Sequence, residues 1–439
     1  MKNKLTFKQT LTIGSLLFGL FFGAGNVIFP LQIGQDAGNK LFIAGLGFLF
    51  TATGFPLLAV NAQGVTQKND LLDLSQSIHP KFGWIFTLLL YLTIGPLFAI
   101  PRLASVSFQI GILPWISKDN ESIWLAIFSI MFFAIIHYYS LKPGKIIDII
   151  GKVMNPLFLI IIAILFLVAI THPLGTPSNL SALNNYQNHA FMQGFTDGYQ
   201  TMDAIAGLAF GIIVVRTIKS YQITNPKEIS LSVLKSGIIS SLMMAVVYIA
   251  LIYLGAMQRH KFSISENGGD ILTHLIFHYF GNWGGIILLL TITLACFKTG
   301  IGLVTACAEM AEQLFPQTAS YKQWVSGLCI TAFLVANLGL NSIISLSLPV
   351  LNILYPYTIT LIVLANISPL FRHRSIVYLT AFTMIALYQI IDQILINFNP
   401  NLIKEWPLYS ANLGWLLPAI IGASFGFIIY RTNSRLAKL

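Results

Sequence analysis

Residues 41–67 contain no charged side chain, and runs of the same kind recur along almost the whole chain, separated by short segments where lysine and arginine collect. This pattern leaves few folds open. A helix needs roughly 20 mainly apolar residues to cross a bilayer, with every backbone N–H and C=O bonded inside the segment. Water-soluble domains carry about a quarter charged residues; here 9% are charged and 56% are hydrophobic. The 439 residues therefore read as one all-α polytopic transmembrane domain without a separate soluble part.

Hydropathy and turn signals place about twelve transmembrane helices. They cover 9–35, 40–62, 83–112, 121–140, 146–171 and 192–217, then 229–256, 284–312, 323–339, 342–367, 374–396 and 411–431. Residues 63–82 read as a polar connector of amphipathic character (Leu71, Leu72, Leu74, Ile78) on the inner membrane face, and 172–190 as an external loop. With both termini in the cytoplasm, 18 lysines and arginines fall inside and 5 outside, while Arg102 and Lys298 lie within helices. That asymmetry is what the positive-inside rule expects, so the net charge of +10 reports topology and not nucleic-acid binding. The cationic start continues into a long apolar run through Pro30 and reads as a retained first helix, not a cleaved signal. Cys296, Cys307 and Cys329 all sit in apolar runs, which argues against disulfides, and no zinc spacing occurs. The scattered histidines form no pair at ligand spacing.

The first helix is interrupted at Gly19-Leu20-Phe21-Phe22-Gly23-Ala24-Gly25-Asn26-Val27-Ile28-Phe29-Pro30. Unwinding in lipid would leave peptide groups unpaired at a cost of several kcal/mol each. It is tolerable where they face a cavity and bind something, with N–H groups meeting an anion and carbonyls a cation. Close packing through Gly-x-Gly is the plainer alternative. A second weak helix runs Asp197-Gly198-Tyr199-Gln200-Thr201-Met202-Asp203-Ala204-Ile205-Ala206-Gly207. Interruptions at matching places in two halves point to inverted repeats meeting at a central site, over about 9–171 and 192–367, with 374–431 appended.

These segments, with Gly95-Pro96-Leu97-Phe98-Ala99-Ile100-Pro101-Arg102, Cys307-Ala308-Glu309 and Ser347-Leu348-Pro349-Val350-Leu351, resemble the bacterial branched-chain amino acid transporters, the LIVCS family, over nearly the whole length. The resemblance implies the five-plus-five inverted-repeat fold of the amino acid–polyamine–organocation superfamily. It also implies a bacterial inner-membrane carrier, not an enzyme, that imports leucine, isoleucine and valine with a sodium ion or proton as the coupling ion and no other cofactor. Another amino acid or amine carrier of the same fold is the alternative. An intramembrane enzyme would need a catalytic pair, and a channel a ring of pore charges; neither is evident.

On this reading the substrate site comprises Phe21, Phe22, Gly23, Ala24, Gly25, Asn26, Phe98, Tyr199, Thr201, Met202 and Asp203. The carboxylate is expected at the N–H groups of Gly23, Ala24 and Gly25, and the ammonium at carbonyls near Phe21 and Tyr199. Asn26 braces the unwound turn, while Met202, Ile205 and Phe98 line an aliphatic pocket. The ion-coupling site, by comparison with sodium-coupled members of the fold, comprises Gly19, Phe22, Ala295, Lys298 and Thr299. Lys298 departs from the uncharged residue expected there, and an ammonium has no acceptor for sodium. It is expected either to fill the site as a tethered cation, bonding carbonyls near Gly19 and Phe22, or to pair structurally with a carboxylate such as Asp203. Arg102, beside a kink at Pro101, is expected to bond freed carbonyls or to face the substrate. Gln109 stands where the family would carry an acid.

Overall fold

The first helix, α1 (Phe7–Phe21), begins where the Thr6 hydroxyl accepts from the Gln9 N–H and the Gln9 side chain returns the bond, a reciprocal cap. It stops at Phe22, whose backbone is extended (φ −71, ψ 101), and α2 (Gly25–Ala37) resumes the path. The computed structural model describes residues 4–23, 25–68, 70–141, 146–398 and 405–436; Ala24, inside this break, lies outside them. Within α2, Pro30 has no N–H to return to the Asn26 carbonyl, which weakens the turn next to the break.

Helices α3 (Leu41–Leu49) and α4 (Phe55–Thr66) continue one another through a π-helical turn at Phe50–Gly54. The connector at 63–82 is more ordered than its polarity suggests. Its centre is a short helix, α5 (Leu71–Gln76), capped by Asp70 and laid against α6 (Pro80–Leu92). Its leucines are buried by that contact and do not face lipid. The kink of the third span lies at Thr93–Leu97, where Gly95 leaves helical geometry (φ −93, ψ −126), and not at Pro101. Pro101 instead occupies the first turn of α7 (Ala99–Gly111), where a missing N–H costs nothing.

Helices α8 (Glu121–Ser140) and α9 (Ile146–Thr171) follow. Next come α10 (Tyr186–Asp197), a 3-10 turn at Gly198–Thr201, and α11 (Asp203–Ser220). Met202, in the left-handed region (φ 60, ψ 11), separates the last two, and the two parts of this helix are bent by 47°. The start of α10 takes up part of the segment read as an external loop. Beyond α12 (Pro226–Met257), α13 (Gly268–Leu314) begins well before residue 284. Gly281 (φ 58, ψ −153) divides it, leaving an outer piece at 268–280 that is too short to cross and was missed for that reason. Four helices complete the chain: α14 (Tyr321–Ala336), α15 (Leu340–Ile367), α16 (Ser375–Phe398) and α17 (Leu416–Leu436). Among the described residues there is no strand, and seven helical stretches are apolar and long enough to cross a membrane; the bent pair at Met202 adds an eighth.

Two helix pairs pack backbone to backbone. A Cβ on Gly34 would lie 1.9 Å from the Ile252 carbonyl oxygen, and one on Gly255 1.9 Å from that of Leu31, so α2 and α12 interlock reciprocally. In the same way Gly47 abuts the Phe191 carbonyl (1.9 Å) and Gly194 that of Ala44 (2.0 Å), joining α3 to α10. Small residues replace the hydrophobic effect as the basis of helix association in lipid. The outer faces carry apolar side chains such as Leu242, Val246 and Ile249 on α12, which suit a lipid solvent.

Candidate substrate site

Each interruption is held by side chains that replace the missing helical bonds. At the first, the Gly23 N–H donates to Asn26 Oδ1 at 3.0 Å. The Asn26 amide donates onward to the Asp203 carboxylate and to the Tyr248 hydroxyl. Tyr248 in turn donates to Asp203 at 3.2 Å. Asn26, Asp203 and Tyr248 are 2%, 3% and 0% exposed, so this network takes the place of bulk water around these groups.

At the second interruption, the Thr201 hydroxyl accepts from the Asp203 N–H at 3.4 Å and donates to the Gly198 carbonyl at 2.9 Å. Asp203 opens α11, where the helix dipole favours a carboxylate. Met202 pays about 1–2 kcal/mol for its left-handed conformation, the usual penalty for a residue with a Cβ. Arg102 reaches both breaks. It donates to the Gln200 carbonyl at 2.8 Å, lies 5.0 Å from the centre of the Phe29 ring, and would stand 2.9 Å from a Cβ on Gly25. Its bond is therefore to the second unwound turn and not to carbonyls freed near Pro101.

Between the breaks lies a cavity of about 40 Å³. One water needs about 10–15 Å³ by this measure, so the space suits a few waters and is too small for an amino acid. Its polar wall is made by Gly23, Asn26, Arg102, Thr201, Asp203 and Thr299. Phe21, Gly25 and Met202 also line it, together with Leu20, Ile94, Ala206 and Phe210. Phe22, Phe98, Tyr199 and Ile205 do not: Phe98 starts α7, Ile205 is fully buried, and Tyr199 stacks on Tyr355 at 4.1 Å between ring centres.

Tyr248 is the member that sequence reasoning missed. One tyrosine in a long apolar helix carries no pattern that separates it from the other fifteen.

Near the first break, the Thr299 hydroxyl is 3.5 Å from the Phe22 carbonyl and 3.3 Å from that of Ala295. Lys298 is 6% exposed. Among the described residues its ammonium makes no hydrogen bond to the Gly19 carbonyl and no ion pair with Asp203, and the side-chain hydrogen bond described at the Phe22 carbonyl comes from Thr299. The Thr299 hydroxyl, one residue along, is the group at helix α1. Gln109 donates to Asp270 of the outer part of α13 at 2.6 Å, a place where a second acid would be repelled. Among the described residues no three His, Cys, Asp or Glu side chains converge as a metal site.

Two discontinuous membrane helices meeting at a buried polar pocket define the architecture of a secondary transporter. The solved structures of Mhp1, a nucleobase-cation-symport-1 family transporter, share that fold. The closed conformation with bromovinylhydantoin bound aligns at a TM-score of 0.63 and 13% identity over 97% of this chain and 93% of that one. The inward-facing conformation aligns at 0.64 and 12%, over 97% and 91%.

The family model described as branched-chain amino acid transport protein matches residues 6–433. The branched-chain amino acid permease BrnQ of Lactobacillus delbrueckii subsp. lactis is 44% identical over 96% of each chain. BrnQ of Bacillus subtilis is 40% identical over 99% of this chain and all of that one, and BraB of the same organism is 40% identical over 98% and 97%. The chain belongs to the branched-chain amino acid transport protein family, as a multi-pass membrane protein.

Proposed function

We propose that this protein imports leucine, isoleucine and valine by alternating access across a bacterial inner membrane, with both termini in the cytoplasm. The observation that carries this reading is the meeting of two broken helices at one polar cavity, tied together by Asn26, Asp203 and Tyr248. The substrate carboxylate meets N–H groups at the first break, and the ammonium meets carbonyls of the two unwound turns. Ala206, Phe210 and Leu20 face the aliphatic side chain. One methylene in such a pocket is worth only about 1–3 kcal/mol, so all three substrates are accepted, while charged side chains are rejected by desolvation. Because the cavity is smaller than any of these substrates, binding has to displace α2 or α11, which couples occupancy to helix movement. The relatives are named permeases, and the reading is of a carrier, not an enzyme.

The same reading makes the chain a twelve-crossing carrier of two inverted five-helix repeats, 9–171 and 192–367, with α16 and α17 appended. Counting α1 with α2, α3 with α4, α6 with α7 and α10 with α11, and leaving out the short α5, gives this number. The reciprocal glycine contacts support it. They join crossing 1 to crossing 7 and crossing 2 to crossing 6, pairs that an inverted repeat would exchange.

Coupling is proposed to be sodium-independent and driven by protons. Lys298 is buried one residue from Thr299, whose hydroxyl lies at the Phe22 and Ala295 carbonyls, and an ammonium held near those oxygens would oppose entry of a sodium ion. In proteoliposomes, wild-type leucine uptake is expected to respond to an imposed proton gradient and to be unchanged when choline replaces sodium. Lys298→Thr, which supplies a second hydroxyl, is expected to make uptake sodium-stimulated. A wild-type requirement for sodium would defeat this assignment. Competition by unlabelled amino acids and amines separates a branched-chain carrier from an amine carrier.

Arg102→Lys is expected to lower leucine uptake about tenfold at equal membrane abundance, because an ammonium cannot bond Gln200 and cover Phe29 together. Initial uptake rates normalised to quantified protein measure this. Wild-type rates would show that the guanidinium fork is dispensable.

A further inference from the structure

We propose a second binding site, for a primary ammonium group carried on an apolar chain, between α15, α16 and the segment leading into α17. A cavity of about 1160 Å³ lies there, far larger than the one between the broken helices. Its walls include Asn352, Ile353, Asp392, Gln393, Tyr409 and Asn412.

Asp392 is the only charged residue of α16. Its Oδ1 is buried and bonded to nothing among the described residues. Among the described residues no lysine, arginine or histidine lines the hollow, and their one ion pair, Lys68 with Asp73, lies elsewhere. An acid set in an apolar helix calls for a cationic partner. The surroundings specify which kind. A metal ion would need converging ligands, and no such cluster is present among the described residues. An amino acid would bring a carboxylate with no cation among the described lining residues to receive it, and Asp392 would repel a fatty anion.

An ammonium satisfies Asp392, in a hollow whose walls also carry the amide and phenol groups of Gln393, Asn412 and Tyr409. Its chain would lie along the isoleucines. Ile353, Ile390 and Ile394 are each at least 50% exposed, so the hollow opens where lipid would lie.

The site also has a route to the transport machinery. Trp415 lines the hollow and stands beside the Tyr199 hydroxyl. Pro356 lines it next to Tyr355, the residue stacked on Tyr199. An occupant would therefore press on the wall behind the second break.

The test uses the purified full chain in phosphatidylcholine nanodiscs, photolabelled with a diazirine-bearing dodecylamine or the matching dodecanoate and mapped by mass spectrometry. The amine is expected to label α16 and 405–415 about tenfold more than the carboxylate, and Asp392→Asn to remove that excess, as expected for loss of one charged hydrogen bond. Ile353→Trp, which fills the hollow and keeps the acid, is expected to lower amine labelling as well, and decides the matter if Asp392→Asn does not fold. Competition by octadecylamine in the disc would identify the occupant as a bilayer-resident amine, and competition by free hexylamine alone would identify a dissolved amine. Equal labelling by the two probes, undiminished labelling of folded Asp392→Asn, or competition by neither amine source would overturn the proposal.

Discussion

In cells producing Asn26→Leu, leucine uptake is expected to fall about a hundredfold while membrane abundance stays near that of wild type, the consequence of breaking one buried charged network. Three partners lose their bonds at once. The Gly23 N–H, the Asp203 carboxylate and the Tyr248 hydroxyl are all buried, and among the described residues no other side chain accepts from the Gly23 N–H. Asp203 keeps only the Tyr248 bond, and removing one partner of a buried charge costs up to about 3–5 kcal/mol, enough to redistribute the two broken helices among other arrangements. Asp203→Asn is a gentler change, because an amide oxygen still accepts from Asn26 and Tyr248, and uptake should fall only about tenfold. Initial uptake rates with quantified membrane protein separate these outcomes. If Asn26→Leu transports normally, the network does not hold the site.

Gly34→Val and Gly47→Val are expected to yield no monodisperse protein after detergent extraction. At both positions a Cβ would meet a backbone carbonyl at 1.9 Å, and neither partner, Ile252 or Phe191, can rotate a carbonyl out of its own helix. Overpacking ordinarily costs about 1–3 kcal/mol, and a clash of main chain with main chain on interlocked helices belongs above that range. Gly302→Ala and Gly327→Ala are the controls. An added methyl meets nothing within 4 Å at either, and alanine's helix propensity should leave the melting temperature equal or higher. Size-exclusion profiles and thermal melts of the four variants check both halves. Well-behaved Gly34→Val protein would mean that α2 and α12 do not pack as described.

Much of this architecture is visible in the sequence because lipid imposes a rule on every residue. Charge exclusion marks the crossings, and the two segments that cannot stay helical in lipid, around Gly23-Ala24-Gly25 and Gly198–Met202, mark where α1 and α10 end. What eluded it depends on three-dimensional partners. The bend of the third span was placed at Pro101 because proline is the conspicuous residue, yet Gly95-Pro96 is where the backbone turns. The outer piece of α13 carries His274, His278 and Asp270 and is too short to cross, so its hydropathy gives no span. Tyr248 becomes special only through its position opposite Asn26. Tyr199 belongs to the second break in sequence, but its ring stacks on Tyr355 instead of lining the cavity, and Phe98, beside the turn at Gly95, is buried without lining it.

Equilibrium binding of labelled leucine to the purified carrier, competed by leucine methyl ester and by isocaproate, tests the core of this account most directly. If peptide groups at the two breaks grip both ends of a zwitterion, removing either charge from the competitor should weaken it at least about a hundredfold, the worth of two charge-assisted bonds. Isocaproate or the ester competing as well as unlabelled leucine would contradict it.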